Sequence, residues 1–119
     1  MTQFTASVTA RRSAEHPYTL VELAGEADTT ASGQIREVLR AAASEPPRRL
    51  IVDLSALTFM DSAALHAILY TNRALTRQGR MLALVNPQAA VRRVLDLTEA
   101  GQLLPIYDSL ADATAQRGC

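Results

Sequence analysis

The 119-residue sequence predicts an α/β fold: a mixed, mostly parallel, open sheet of about five strands with about four helices. Three observations carry this. Short aliphatic runs at Leu50–Leu54, Met81–Val85 and Leu103–Tyr107 alternate with stretches whose apolar residues recur at helical spacing. Residues that cap helices stand where those stretches begin: Asp28-Thr29-Thr30, Asp61-Ser62 and Asn86-Pro87. Two strand-like segments follow one another at the start with no helix between them, and the first of these is expected at a sheet edge. The length fits a single domain over residues 1–119, which buries roughly two-thirds of its unfolded surface without metals or disulfides.

In chain order, Phe4, Ala6, Val8 and Ala10 alternate with polar neighbours, the period of a half-buried strand. A turn is expected over Ser13–Pro17, then a second strand from Tyr18 that stops at Gly25. After the caps at 28–30, Ile35, Val38, Leu39 and Ala42 form one apolar stripe, and Glu45-Pro46-Pro47 ends that helix. Leu50–Leu54 reads as a central strand covered on both faces, and Ser55–Met60 as the connection to the next cap. Leu65, Ile68, Leu69 and Leu75 mark a second helix ending near Gly79. Met81–Val85 is a further buried strand. Asn86-Pro87 should cap a third helix carrying Val91, Val94, Leu95 and Thr98 on one face, with Gly101 as its stop. Leu103–Tyr107 reads as a last short strand, and Ser109 opens a terminal helix.

Twelve basic and twelve acidic residues cancel, and all twelve basic ones are arginine. Evenly spread charge of this kind argues against nucleic acid as the main partner. The absence of lysine excludes a P-loop and a Schiff-base enzyme. Cys119, the single cysteine, is the last residue and forms no internal bridge. With no leader-like N-terminus, a reducing cytoplasm is expected. The longest aliphatic run, Met81-Leu82-Ala83-Leu84-Val85, is far short of the ~20 residues of a membrane span. A monomer without a cofactor is the expectation. His16 and His66 do not make a metal motif. His66 could in principle activate Ser62 one helical turn away, but no orienting acid or oxyanion-hole motif accompanies them, and the chain is expected not to be an enzyme.

In open α/β sheets, functional loops gather at the carboxyl ends of the strands. Two strand-to-helix turns stand out there, Gly25-Glu26-Ala27-Asp28-Thr29 and Phe59-Met60-Asp61-Ser62. By capping chemistry alone, Ser62 is an N-cap and Asp28 another. His66, Tyr70, Arg73 and Arg77 form a polar stripe opposite the leucines of the second helix. Its bland reading is a solvated face, yet it starts at Ser62 and holds Tyr and Arg, which interfaces favour.

The segment Asp53-Leu54-Ser55…Phe59-Met60-Asp61-Ser62-Ala63-Ala64-Leu65 resembles the phosphorylation-site motif of the anti-sigma factor antagonists of the STAS family (sulfate transporter and anti-sigma factor antagonist domains). Gly25-Glu26-x-Asp28 resembles that family's Gly-Glu-Leu-Asp element, and Asn86-Pro87 its Asn/Ser-Pro. All three occur in register along nearly the whole chain. Where the family has Ser-Gly after the phosphorylated serine, this sequence has Ala63-Ala64, which adds a methyl where backbone would approach a partner.

The resemblance implies a STAS-like fold and a partner switch. The unphosphorylated protein would bind an anti-sigma factor that is also a serine kinase. Phosphorylation at Ser62 would release it, and a PP2C-type phosphatase would reset it. The contact residues expected for such a switch are Asp28, Thr29, Asp61, Ser62 and Ala63, with His66, Tyr70 and Arg73 added on the composition of their stripe. The alternative is an unphosphorylated STAS subunit of a lipid-transport ATPase complex or stress-signalling scaffold, with Ser62 a plain cap.

Overall fold

The structure is a computed structural model that describes residues 3–11, 17–44, 49–98 and 100–115. The turn expected over Ser13–Pro17 falls largely outside these residues, as do the Glu45-Pro46-Pro47 helix end, His16 and Cys119. Strands β1 (Thr5–Arg11), β2 (Tyr18–Ala27), β3 (Arg49–Met60), β4 (Met81–Val85) and β5 (Ile106–Tyr107) form one sheet in the order β1-β2-β3-β4-β5. Only β1–β2 is antiparallel, and β1 is an edge strand. The helices are α1 (Ser32–Ala43), α2 (Ser62–Arg77), α3 (Ala89–Asp96), the single-turn α4 (Ala100–Leu103) and α5 (Leu110–Ala115). The mixed, mostly parallel sheet is therefore as the sequence predicts.

The main core lies between the sheet and α1, α2 and α3. Leu23, Leu50, Val52 and Leu84 meet Ile35, Leu39, Ile68, Leu75, Val91 and Leu95 there. A smaller cluster on the opposite face packs Leu20, Ile51 and Val85 against Ala113 of α5. Leu50, Ile51 and Val52 are thus buried on both sides, which accounts for the unbroken aliphatic run.

Five local expectations are corrected. β2 does not stop at Gly25, and β3 does not stop at Leu54. The two stay paired to Ala27 and Met60, with register shifts between Glu22 and Ala24 and between Gly25 and Glu26. Each shift gives β3 one extra residue. Its inward positions therefore run Leu54, Leu57, Met60, and the period-2 signal is lost. Gly25 is a bulge glycine with φ +90°, and a Cβ there would lie 2.3 Å from the Gln3 carbonyl oxygen. Its role is close backbone approach rather than strand ending.

Asn86 is not the cap of α3. It sits at φ 57°, in the left-handed region asparagine tolerates, while its N–H donates to the Tyr107 carbonyl at 3.0 Å. The helix starts two residues after Pro87, behind Gln88, whose Nε2 donates to the Ser55 carbonyl at 2.6 Å. Gly101 lies within α4 instead of stopping α3, which already ends at Asp96, and because α4 also takes Leu103, the strand expected over Leu103–Tyr107 shrinks to Ile106–Tyr107.

The end of α2 is as expected. Gly79 takes φ +70°, its N–H donates to Thr76 O and the Arg80 N–H to Leu75 O, a Schellman closure. The Arg80 side chain then donates to the carbonyl of Ala43, the last residue of α1, tying the two helix ends together.

Candidate functional site at the carboxyl end of the sheet

Because β2 and β3 are parallel neighbours, the loops that leave them emerge side by side. The β2 loop is a 3-10 turn, Thr29–Ala31, capped by Asp28. Asp28 Oδ1 accepts from the Thr30 N–H at 3.0 Å and from the Thr30 hydroxyl at 2.6 Å. The Thr30 hydroxyl is the main cause holding the exposed Asp28 carboxyl below its ordinary 3.8.

In the β3 loop the chain passes straight from Met60 into α2, and the Asp61 N–H donates to the Ala27 carbonyl at 3.0 Å. Both oxygens of Asp61 are engaged. Oδ1 accepts from the Ala64 N–H and Oδ2 from the Thr29 hydroxyl, each at 2.9 Å. Asp61 is thus the N-cap of α2 and the clamp between the loops.

This corrects the capping reading of Ser62. It is the first helical residue, it is exposed, and its hydroxyl has no hydrogen-bond partner among the described residues, His66 included. The Ala64 methyl is fully buried in the main core, so the methyl that replaces glycine faces this protein's own interior, not a partner. Ala63 is half-buried at the surface beside Ser62.

Asp28, Thr29, Asp61, Ser62 and Ala63 are therefore brought together. His66 is exposed one turn further along α2, while Tyr70 and Arg73 lie about 12 Å and 16 Å down the same helix at its ordinary rise. Tyr70 is 59 % exposed and leans toward α1, with the Arg36 guanidinium carbon 4.5 Å from its ring centroid.

Sequence reasoning passed over Phe59 as a surface residue. It is 44 % exposed two positions before Asp61, and the bulges that turn it outward leave no trace in a period-2 pattern. Beside Asp28, a shallow depression of about 370 Å³ is lined by Gln3, Phe4, Glu26 and Gln34. Among the described residues, no three His, Cys, Asp or Glu side chains are grouped to hold a metal ion, and no helix is long and apolar enough to cross a membrane.

Comparison with known proteins adds three findings. Residues 7–113 match the STAS domain family. An anti-sigma F factor antagonist of Paenibacillus polymyxa is 29% identical over 98 residues, covering 82% of this chain and 84% of that one. Among solved structures, an anti-sigma factor antagonist from Mycobacterium paratuberculosis superposes with a TM-score of 0.78 at 23% identity, over 94% of this chain and 96% of the other. The antagonist SpoIIAA in its unphosphorylated form gives 0.70 at 24% identity, over 90% and 92%. The phosphorylated form of SpoIIAA, the Bacillus cell fate determinant, gives 0.64 at 23%, over 90% and 96%.

Proposed function

This chain belongs to the STAS domain family, and from that premise we propose that it is an anti-sigma factor antagonist switched by phosphorylation of Ser62. Unphosphorylated, it binds an anti-sigma factor with serine kinase activity through the two clamped loops and the start of α2, so that a sigma factor is freed. Phosphorylation releases it, and a PP2C-type phosphatase resets it. The reading draws support from the relatives that carry the antagonist name and from SpoIIAA, solved with and without phosphate.

The observation that carries it is the division of labour between Asp61 and Ser62. Asp61 already caps α2, so the Ser62 hydroxyl is exposed and uncommitted on a fixed backbone. A phosphoryl group adds about −1.5 to −2 charges there. In the free protein the amides and dipole at the start of α2 tolerate that anion. Inside an interface it stands next to the Asp61 carboxylate and must be desolvated. A penalty of ~3 kcal/mol weakens binding about a hundredfold. No refolding is needed.

The test is co-purification with the cognate anti-sigma kinase, with and without ATP, followed by phosphopeptide mapping. One phosphate on Ser62 and loss of the complex with ATP are expected. A stable complex carrying no phosphate would replace the switch with a fixed STAS subunit.

A further inference from the structure

Between α1 and α2 runs an open groove of about 610 Å³, away from the clamped loops. Its lining includes small and apolar groups, Ala43 and Ala74 half-buried over the buried Leu75, and the exposed Gly33 at one end. At Gly33 an added Cβ would meet nothing within 4 Å, so this end of the groove opens to solvent. The rims are basic, with Arg36 and Arg40 on α1 and Arg80 after α2, against the single carboxylate of Glu37. Glu37 pairs with Arg40 at 3.1 Å, but both side chains are largely exposed, 72% and 78%, and such a pair gives way readily to a better partner. Arg73 and Arg77 extend the positive surface along the exposed side of α2, and neither forms an ion pair with a described residue.

Among the described residues, charge that is spread evenly along the sequence is therefore divided in space. The α1–α2 surface is positive, while Glu22, Asp28, Asp53 and Asp61 lie on the strands and their carboxyl-end loops.

We propose that this groove docks an acidic amphipathic helix of a partner protein, apolar side chains on the small-residue floor and carboxylates on Arg36 and Arg40. The length fits. From Gly33 to Ser44 the groove follows α1 for about 16 Å, three turns, which accommodates one i, i+3, i+4, i+7 set of anchors. The one aromatic ring in the lining, Tyr70, already carries Arg36 over its face, so it offers no free platform for stacking a base. A second copy of this chain does not supply the occupant either. Its described helices carry one acidic residue each in α1, α3 and α5 and none in α2 and α4. The groove adjoins the expected switch contacts at Tyr70 and Arg73, but its floor and Arg36 and Arg40 are not among them, and the proposal does not rest on the switch.

The experiment is fluorescence anisotropy on the full chain, with a labelled helical peptide of about 14 residues carrying Leu at the anchor positions and Glu elsewhere. A lysine version of the same peptide is the control. The glutamate peptide is expected to bind, more weakly at high salt, and the lysine peptide about tenfold less well or worse. Arg36→Glu with Arg40→Glu should lower glutamate-peptide affinity by about tenfold or more, and so should Ala74→Tyr, which fills the floor without changing charge. Circular dichroism confirms that the variants fold. Ser62→Asp should leave peptide affinity within about twofold, which separates this surface from the switch. Equal binding of the two peptides, no binding, full affinity in the Ala74→Tyr variant, or displacement by a short RNA in preference to unlabelled peptide would each overturn the proposal.

Discussion

The Thr29 hydroxyl donates to Asp61 Oδ2 at 2.9 Å, across 32 residues of sequence. Asp61 uses its other oxygen to cap α2, so one carboxylate fixes both the β2 loop and the start of the helix that carries Ser62. The parallel pairing of β2 with β3 makes this contact possible, since it ends both strands at one level, Ala27 opposite Met60.

Thr29→Val keeps the shape and removes the donor. An exposed bond of this kind contributes about 0.5–1.5 kcal/mol, so urea midpoints should fall slightly and the fold should persist. The larger expected effect is on anti-sigma affinity, because the two loops no longer hold one geometry. Thr29→Ser restores the donor and should restore binding. If the valine variant binds as well as the wild type, the clamp is only structural.

Gly25→Ala tests the bulge. The left-handed backbone alone costs a non-glycine residue about 1–3 kcal/mol, and the Gln3 carbonyl at 2.3 Å from the new Cβ forces a further shift of the N-terminal segment. A clear drop in the denaturation midpoint is expected. Gly33→Ala, inside α1 with open space around the new Cβ, should be neutral or stabilising. Equal midpoints for the two variants would contradict the close approach at Gly25.

What was legible in the sequence was local. The cap at Asp28, the apolar stripes of α1 and α2 and the closure at Gly79 all depend on residues within a few positions of each other, whereas the cap of α2 was read one residue late, at Ser62 instead of Asp61. The extension of β3 was not legible, because two bulges convert alternation into the spacing Leu54, Leu57, Met60. Nor was the conformation of Asn86, whose left-handed turn is set by its ladder bond to Tyr107.

Of the site, the adjacency of the Asp28 loop and Ser62 followed from placing the strands side by side. The pair that makes the contact is Thr29 with Asp61, while Asp28 turns back onto Thr30. The Arg36–Tyr70 contact forms only when α1 packs on α2, and no sequence period announces it.

Asp28 gives a prediction in pH. Its carboxyl is held below 3.8 in the folded protein, chiefly by the Thr30 hydroxyl. A depressed carboxylate stabilises the fold fully above its unfolded value. That contribution is lost as pH falls from there through the folded value. Asp28→Asn should therefore flatten the acid limb of a stability profile below about pH 4, and slightly lower stability at neutral pH, where the charged carboxylate contributes. An unchanged acid limb would remove Asp28 from the account. If Asp28 also touches the partner, the same variant should weaken anti-sigma binding at neutral pH while the fold is kept.

Ser62 and Asp61 adjoin in sequence, yet substitution should separate their roles. Asp61→Ala loses the cap of α2 and the clamp to Thr29, and should cost about 0.5–2 kcal/mol from the cap alone. Ser62→Ala loses neither, so its stability should stay within about 0.5 kcal/mol of the wild type, as for an ordinary surface change. It should bind the anti-sigma factor and remain bound when ATP is added, leaving the sigma factor active. Ser62→Asp places a carboxylate beside the free amides of the first turn, an arrangement that favours the helix by about 0.3–1 kcal/mol before the nearby Asp61 charge offsets part of it. The fold should be unharmed, and partner affinity should drop well below that of the alanine variant. Capping by Ser62 would give the reverse, a harmful alanine and a harmless aspartate. Thermal melts and calorimetric titration of both variants decide between them. Equal partner affinities, with no phosphate on Ser62 after kinase and ATP, would falsify the switch.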